Sequence, residues 1–193
     1  MRRALLISLR MAVVTIVLTG LIYPLVVWGL GAVLFPKQAA GSLVTGANGT
    51  VIGSRLIAQS FTADKYFHPR PSAAGTNGYD AMSSSASNLG PTNKLLISAV
   101  ETRVADAVKA DGASGGSVPV DMVTSSGSGL DPDISPDNAA LQVARVAKAR
   151  GITAQAVQQL VAQHTSGRDL GFLGEPRVNV LQLNLALDGL SSK

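Results

Sequence analysis

Apolar side chains run from Met11 to Phe35 without a single charge, and the rest of the sequence contains no second stretch that is both as long and as apolar. About 25 residues rising roughly 1.5 Å each make a helix of about 37 Å, enough to cross a hydrocarbon core of about 30 Å with some tilt. The pattern predicts a short N-terminal segment over 1–10, one transmembrane helix over 11–35, and a single small globular domain over 36–193. Inside the span, Ala12, Thr15, Thr19 and Tyr23 recur at helical spacing and share one stripe, a surface suited to close packing against another membrane helix. The opposing reading has Thr15 and Thr19 bonding their own upstream carbonyls and facing lipid. Pro24 frees a backbone carbonyl in mid-span, which a membrane helix tolerates best beside a neighbour, so a bundle partner is expected. Trp28 lies too deep for an interfacial belt residue and reads as packing against protein or lipid.

Beyond the span the apolar runs shorten. Strands are predicted near Leu43 to Thr45 and Thr50 to Gly53, joined around Ala47, Asn48 and Gly49, where Asn-Gly is a strong hairpin signal. From Phe61 to Pro91 periodicity gives way to Pro, Gly, Ser and Asn, the composition of a long ordered loop. Leu96, Val100, Val104 and Val108 recur every fourth position, predicting a helix from about Thr92 that ends in a flexible tip over Gly112 to Gly116. Val118 to Thr124 reads as a short strand. Ser135 and Pro136 are the N-cap and first-position pair of a second helix, running to about Ala149 and closed by Gly151. Thr153 caps a third, with Val157, Leu160, Val161 and His164 on one face. At the C-terminus VNVLQLNLALDGL fits period two through Leu181, Leu183, Leu185 and Leu187, and a helix through Leu183, Leu187 and Leu190; the pattern leaves both open. The fold class is mixed α+β, helices slightly dominant, with no internal repeat.

Charge sets the orientation. Of 16 basic residues, Arg2, Arg3 and Arg10 precede the span, leaving 13 against 12 acidic residues beyond it, so the net charge of +4 does not describe a basic domain. No basic patch with interleaved aromatics supports nucleic-acid binding. Lys37 is the one early basic residue after the span, so the arginine bias puts the N-terminus in the cytoplasm and the folded domain on the far side of the membrane. A cleavable signal peptide, cut at the small residues Ala39 and Gly41, is the competing reading, although the span far exceeds a usual h-region of about 7–15 residues. Such a cut would release a secreted binding module. The chain has no cysteine, which excludes a disulfide framework and thiolate chemistry. About 158 residues bury a sufficient core without such staples.

The chemical motifs are mostly absent. GSGLD, Gly127 to Asp131, lacks the lysine of a phosphate-binding loop, and its glycines and serines make a turn more readily than an anion site. Asp131, Asp133, Ser135 and Asp137 alternate like calcium-loop ligands, but Pro136 stands where the bend needs glycine and Gln142 where a bidentate glutamate belongs. SSGSG does not match a nucleophile elbow. His68, beside Pro69 in the loop, reads as bonded to backbone rather than as a base. His164 complements a helix C-terminus. Glu175 and Arg177 flank Pro176 and suggest a salt bridge or a partner contact. No residue is assigned to catalysis, to a cofactor or to a metal, and the chain reads as an accessory subunit rather than an enzyme.

The stretches YFHPRPSA (66–73), SNLGPTN (87–93), SGSGLDPDISP (126–136), RVAKARG (145–151) and GEPRVNVLQLNLALD (174–188) resemble the KdpC family, the C subunits of the bacterial high-affinity potassium-transporting ATPase, over nearly the whole chain. The resemblance implies work beside a potassium-selecting A subunit that carries the ion, an ATP-hydrolysing B subunit with a DKTGT phosphorylation motif absent here, and a small F peptide. It implies assembly or stabilisation of that complex. The family is also described as a catalytic chaperone that raises the ATP affinity of the B subunit through a ternary complex with ATP. The arginine bias opposes direct ATP contact, since any effect would have to travel through membrane helices. A nucleotide-binding regulator with its domain in the cytoplasm is the alternative. Where many relatives carry histidine in the GLDPDIS stretch, this chain has Asp133. Tyr66, Phe67, Arg70 and Pro71, with Asn88 and Leu89, are the candidate subunit-contact residues of the domain. The opposing reading has them folding the loop, aromatics buried and Arg70 bonding carbonyls.

Overall fold

A computed structural model of the chain describes residues 1–46, 48–114 and 116–191. Ala47 of the predicted hairpin turn, Gly115 of the predicted tip and the last two residues of the 36–193 domain lie outside the described residues. The chain divides into two compact units, Met1–Leu43 and the remainder from Val44.

The first unit is a helix in three parts: α1 (Arg2–Val17), a π-helical turn (Leu18–Ile22) and α2 (Tyr23–Leu34). Over Arg2–Leu34, 33 residues, it is long and apolar enough to cross a membrane, and no part of its most apolar stretch is buried. The helix starts well before Met11 because no breaker separates the arginines from the apolar run. Pro24 explains the wide turn. It has no N–H to donate and its ring crowds the carbonyl four residues back, so the helix opens just upstream and the Tyr23 N–H donates to Leu18 O, five residues away. The Thr19 hydroxyl donates to Thr15 O at 2.8 Å, as the opposing reading of that stripe requires. Pro36 then opens a single-turn helix, α3 (Pro36–Ala39).

From Leu43, the last residue of the first unit, the chain enters β1 (Leu43–Thr45), which pairs with β2 (Val51–Ser54). Their turn is closed by Gly46 N–H donating to Thr50 O at 2.8 Å and by Asn48 Oδ1 accepting from the Thr50 hydroxyl at 2.7 Å. The segment 61–91 carries no helix or strand. Then come α4 (Lys94–Asp111), α5 (Val120–Val123), β3 (Asp133–Ile134), α6 (Pro136–Arg150), α7 (Ala154–Gln163), β4 (Thr165–Ser166), β5 (Arg177–Asn179) and α8 (Val180–Ser191). Asn93, Ser135 and Thr153 cap α4, α6 and α7 with their side chains, and Gly112 and Gly151 end the first two in the left-handed region.

Two elements differ from the sequence pattern. Val118 to Thr124, read as a strand, forms the short helix α5 over Val120–Val123 instead: Pro119 starts a turn, and among the described residues no strand pairs with it. The C-terminal ambiguity resolves both ways. Arg177–Asn179 is the central strand of an antiparallel sheet ordered β3-β5-β4, with Ile134 and Thr165 both opposite Val178. Asn179 Oδ1 then accepts from Gln182 N–H and the chain turns helical. Strands of two residues, as β3 and β4 are, are too short to show any period.

The core lies between α6, α7, α8 and the sheet, from Ile134, Val143, Val146, Val157, Val178, Leu183 and Leu187, with Phe67 inserted from the long loop. By contrast α4 buries only Ala107; Leu96, Val100 and Val104 of its predicted face are half-buried and Val108 is exposed.

Candidate functional site

The long loop is held on the domain by amide side chains. Asn184, on α8, accepts from Phe67 N–H at 2.8 Å and donates to Phe67 O at 2.9 Å. Gln142, on α6, does the same for the next residue, accepting from His68 N–H at 2.7 Å and donating to His68 O at 3.1 Å. Two side chains thus replace the neighbours that a strand would have, and the loop keeps its backbone groups satisfied while its aromatic enters the core. The same Gln142 amide donates to Asn138 Oδ1 at 2.8 Å, one turn earlier on α6. Asn138 in turn donates to Asp121 Oδ2 at 3.0 Å, and Asp121 also accepts from the backbone and hydroxyl of Ser135.

Arg145 completes the arrangement. Its Nε donates to Asp111 Oδ1 at 2.7 Å, with both side chains buried. Nη1 donates to Asp64 O and Tyr66 O, and Nη2 to Gln142 Oε1. A buried ion pair of this kind is tolerable because the guanidinium meets acceptors on every side. His68 Nε2 lies 3.4 Å from Arg145 Nη1 and 3.3 Å from Ala63 O. Burial, and then the Arg145 charge, lower its pKa below the ordinary 6.5, so the ring is neutral at physiological pH.

The six candidate contact residues of the loop are placed unequally. Phe67 is wholly buried, 0% exposed, so it supports the loop and offers nothing to a partner. Tyr66 is half-buried: its hydroxyl donates to Asp188 Oδ2 at 3.0 Å, and its ring lies 5.1 Å from both Lys65 Nζ and the Arg150 guanidinium. Arg70 meets Asp131 at 2.8 Å rather than carbonyls, while its own carbonyl accepts from the Tyr79 hydroxyl at 2.8 Å. Pro71 lines a groove of about 340 Å³ between the loop and α4, with His68, Tyr79, Arg103 and Asp111. Burial raises the Tyr79 pKa, so that groove presents a protonated phenol. Asn88 is exposed at φ 53° and Leu89 half-buried. In the N-terminal unit, Ala12, Thr15, Thr19 and Tyr23 are all exposed.

The remaining motifs serve the fold. Gly129 sits at φ 68°, and a Cβ there would stand 2.5 Å from Ser85 O and 2.8 Å from Ala74 N, so the glycine-serine turn is packed tightly on the loop. Ser72 and Ser84 hydroxyls donate to Gly129 O and Ser128 O. Asp133 accepts from Asn179 Nδ2 at 3.0 Å and lies 3.6 Å from Arg177; burial raises its pKa. Glu175 and Arg177 do not pair with each other: Glu175 meets Arg168 at 2.7 Å, and Arg177 meets Asp169 at 3.4 Å as well as Asp133. His164 ends α7 with Nδ1 2.9 Å from Leu160 O. Among the described residues no three His, Cys, Asp or Glu side chains gather where they would hold a metal ion. Asn138, Gln142, Arg145 and Asn184 were legible only as polar residues on otherwise apolar helical faces, which is a real signal but names no partner.

A sequence model of the family described as K+-transporting ATPase, c chain, matches residues 5–189. The chain is 58% identical over 185 residues to the potassium-transporting ATPase KdpC subunit of Gemmatimonas aurantiaca, covering 96% of this chain and 92% of that one. It is 56% identical over 189 residues to the KdpC subunit of Koribacter versatilis, covering 98% and 96%. Against the KdpC subunit of Rhodospirillum rubrum the identity is 61% over 171 residues, covering 89% and 88%. Similarity of this extent, from the apolar helix through to α8, means that the chain belongs to the KdpC family of potassium-transporting ATPase subunits.

Proposed function

We propose that the protein is a single-pass, non-catalytic accessory subunit of a high-affinity potassium uptake ATPase, with its N-terminus in the cytoplasm and its folded domain outside. The carrying observation is the helix Arg2–Leu34, apolar, unburied and carrying its arginines, Arg2, Arg3 and Arg10, at one end only. Such a surface needs lipid and neighbouring helices around it, and the flanking charge favours one orientation. The subunit assembles or stabilises a complex with the potassium-selecting A subunit, the ATP-hydrolysing B subunit and the small F peptide. Ala12, Thr15, Thr19 and Tyr23 supply the stripe that meets a neighbouring helix. In the domain Tyr66, Arg70, Pro71, Asn88 and Leu89 face the partner, carried on the buried Phe67. ATP is bound by the B subunit and potassium is carried by the A subunit; any rise in ATP affinity passes through the membrane helices.

Labelling tests the orientation. A Ser166→Cys variant, its side chain exposed on β4, should react with a membrane-impermeant thiol reagent on intact cells. No labelling on intact cells, with full labelling after lysis, would favour the nucleotide-binding regulator on the cytoplasmic side. Mass spectrometry should find the N-terminal arginines still attached, and a mature start near Ser42 would instead indicate a cleaved, secreted module.

A further inference from the structure

The connection from β4 to β5 is longer than a pair of two- and three-residue strands needs, and it makes a tighter hairpin of its own. Asp169 and Leu173 exchange both backbone bonds, at 2.8 and 2.9 Å, and the three residues between them form the tip. Leu170 (φ 54°) and Gly171 (φ 82°) take left-handed conformations there. That is ordinary for glycine and strained for leucine, and strained residues persist where the surroundings hold them. The result is an apolar projection: Leu170 is 83% exposed, Phe172 69% and Leu173 49%.

The rim of this projection is charged and internally matched. Arg168 meets Glu175 at 2.7 Å, while Arg177 meets Asp169 at 3.4 Å and Asp133 at 3.6 Å. An apolar centre inside a polar rim is the anatomy of a protein contact. Insertion into an anionic bilayer surface calls for unpaired lysine or arginine beside the apolar residues, and both arginines here are engaged by carboxylates. The complementary surface is therefore an uncharged, apolar cleft on a protein. We propose that the 168–175 hairpin is a docking knob whose Leu170 and Phe172 insert into an uncharged apolar cleft on the exported face of a partner subunit of the ATPase. The proposal rests on the accessory-subunit reading above.

Its test uses the full chain expressed with the other ATPase subunits in their membrane. A photoreactive benzoylphenylalanine in place of Phe172 should form an adduct that mass spectrometry assigns to another subunit of the complex. An adduct with lipid, with a second copy of this chain, or with no protein would overturn the proposal. In parallel, the paired substitutions Leu170→Asp and Phe172→Asp should lower the partner subunits recovered in detergent at least about tenfold, with the melting temperature of the chain unchanged because both side chains are solvent-facing. Recovery equal to wild type would sink the knob while leaving the accessory reading intact, whereas a wild-type chain that recovers no partner would sink both.

Discussion

Asn184 and Gln142 each satisfy one donor and one acceptor of consecutive loop residues, so each is worth more than a single hydrogen bond. Asn184→Ala would leave Phe67 N–H and C=O buried and unpaired, at a cost of about 2–4 kcal/mol. Chemical denaturation of the purified chain should show that loss, with Phe67 no longer locked in the core. His68 gives the loop a pH dependence. Its folded pKa lies below the ordinary 6.5, so just below that pH the unfolded chain binds its proton first. Stability is complete above about pH 6.5 and falls as the pH drops through the folded pKa. Arg145, Asp111 and Asp64 are the charged groups facing the ring, and Arg145 opposes protonation. The difference in denaturation midpoint between the wild type and His68→Gln, followed from about pH 8 to 5, should therefore shrink toward acid as the wild type loses its advantage.

At the scale of elements, α6 organises the domain: one face gives Val143 and Val146 to the core, another gives Asn138, Gln142 and Arg145 to the polar network. Its start is doubly tied, since the Ser135 hydroxyl caps Asn138 N–H and also donates to Asp121. Ser135→Ala should cost about 1–2 kcal/mol, more than a simple cap at the low end of that range, measured as a shift in thermal midpoint. The Ser135 and Thr153 caps, the Asn48-Gly49 turn and the glycine ends of α4 and α6 were legible in the sequence because each is decided within a few residues. The apolar run at Val118–Thr124 was not, because a strand needs a neighbour and Asp121 is drawn instead to Ser135 and Asn138. The helical period of Leu183 and Leu187 competed with period two until Asn179 capped α8 and left Val178 to the sheet.

For the whole molecule, the decisive asymmetry is charge along the chain: Arg2, Arg3 and Arg10 at one end of an apolar helix, and a domain of nearly balanced charge after it. Replacing all three arginines by alanine leaves Lys37 as the nearest flanking basic residue and should weaken the preferred orientation. In the Ser166→Cys background, the fraction labelled on intact cells should fall; an unchanged fraction would show that something other than flanking charge orients the chain.

Length, apolar run, flanking arginines, capping residues and family motifs are written along the chain, and by themselves they determined a single candidate span, a mixed α+β domain, and membership of the KdpC family. Tertiary structure alone decided that Phe67 is core and not contact surface, that Arg70 meets Asp131, that Glu175 and Arg177 take different partners, and that Leu170 and Phe172 stand out in solvent. The reason is separation. Phe67 and Asn184 are 117 positions apart, and a hydrogen bond across that distance leaves no periodicity, cap or turn signal near either residue.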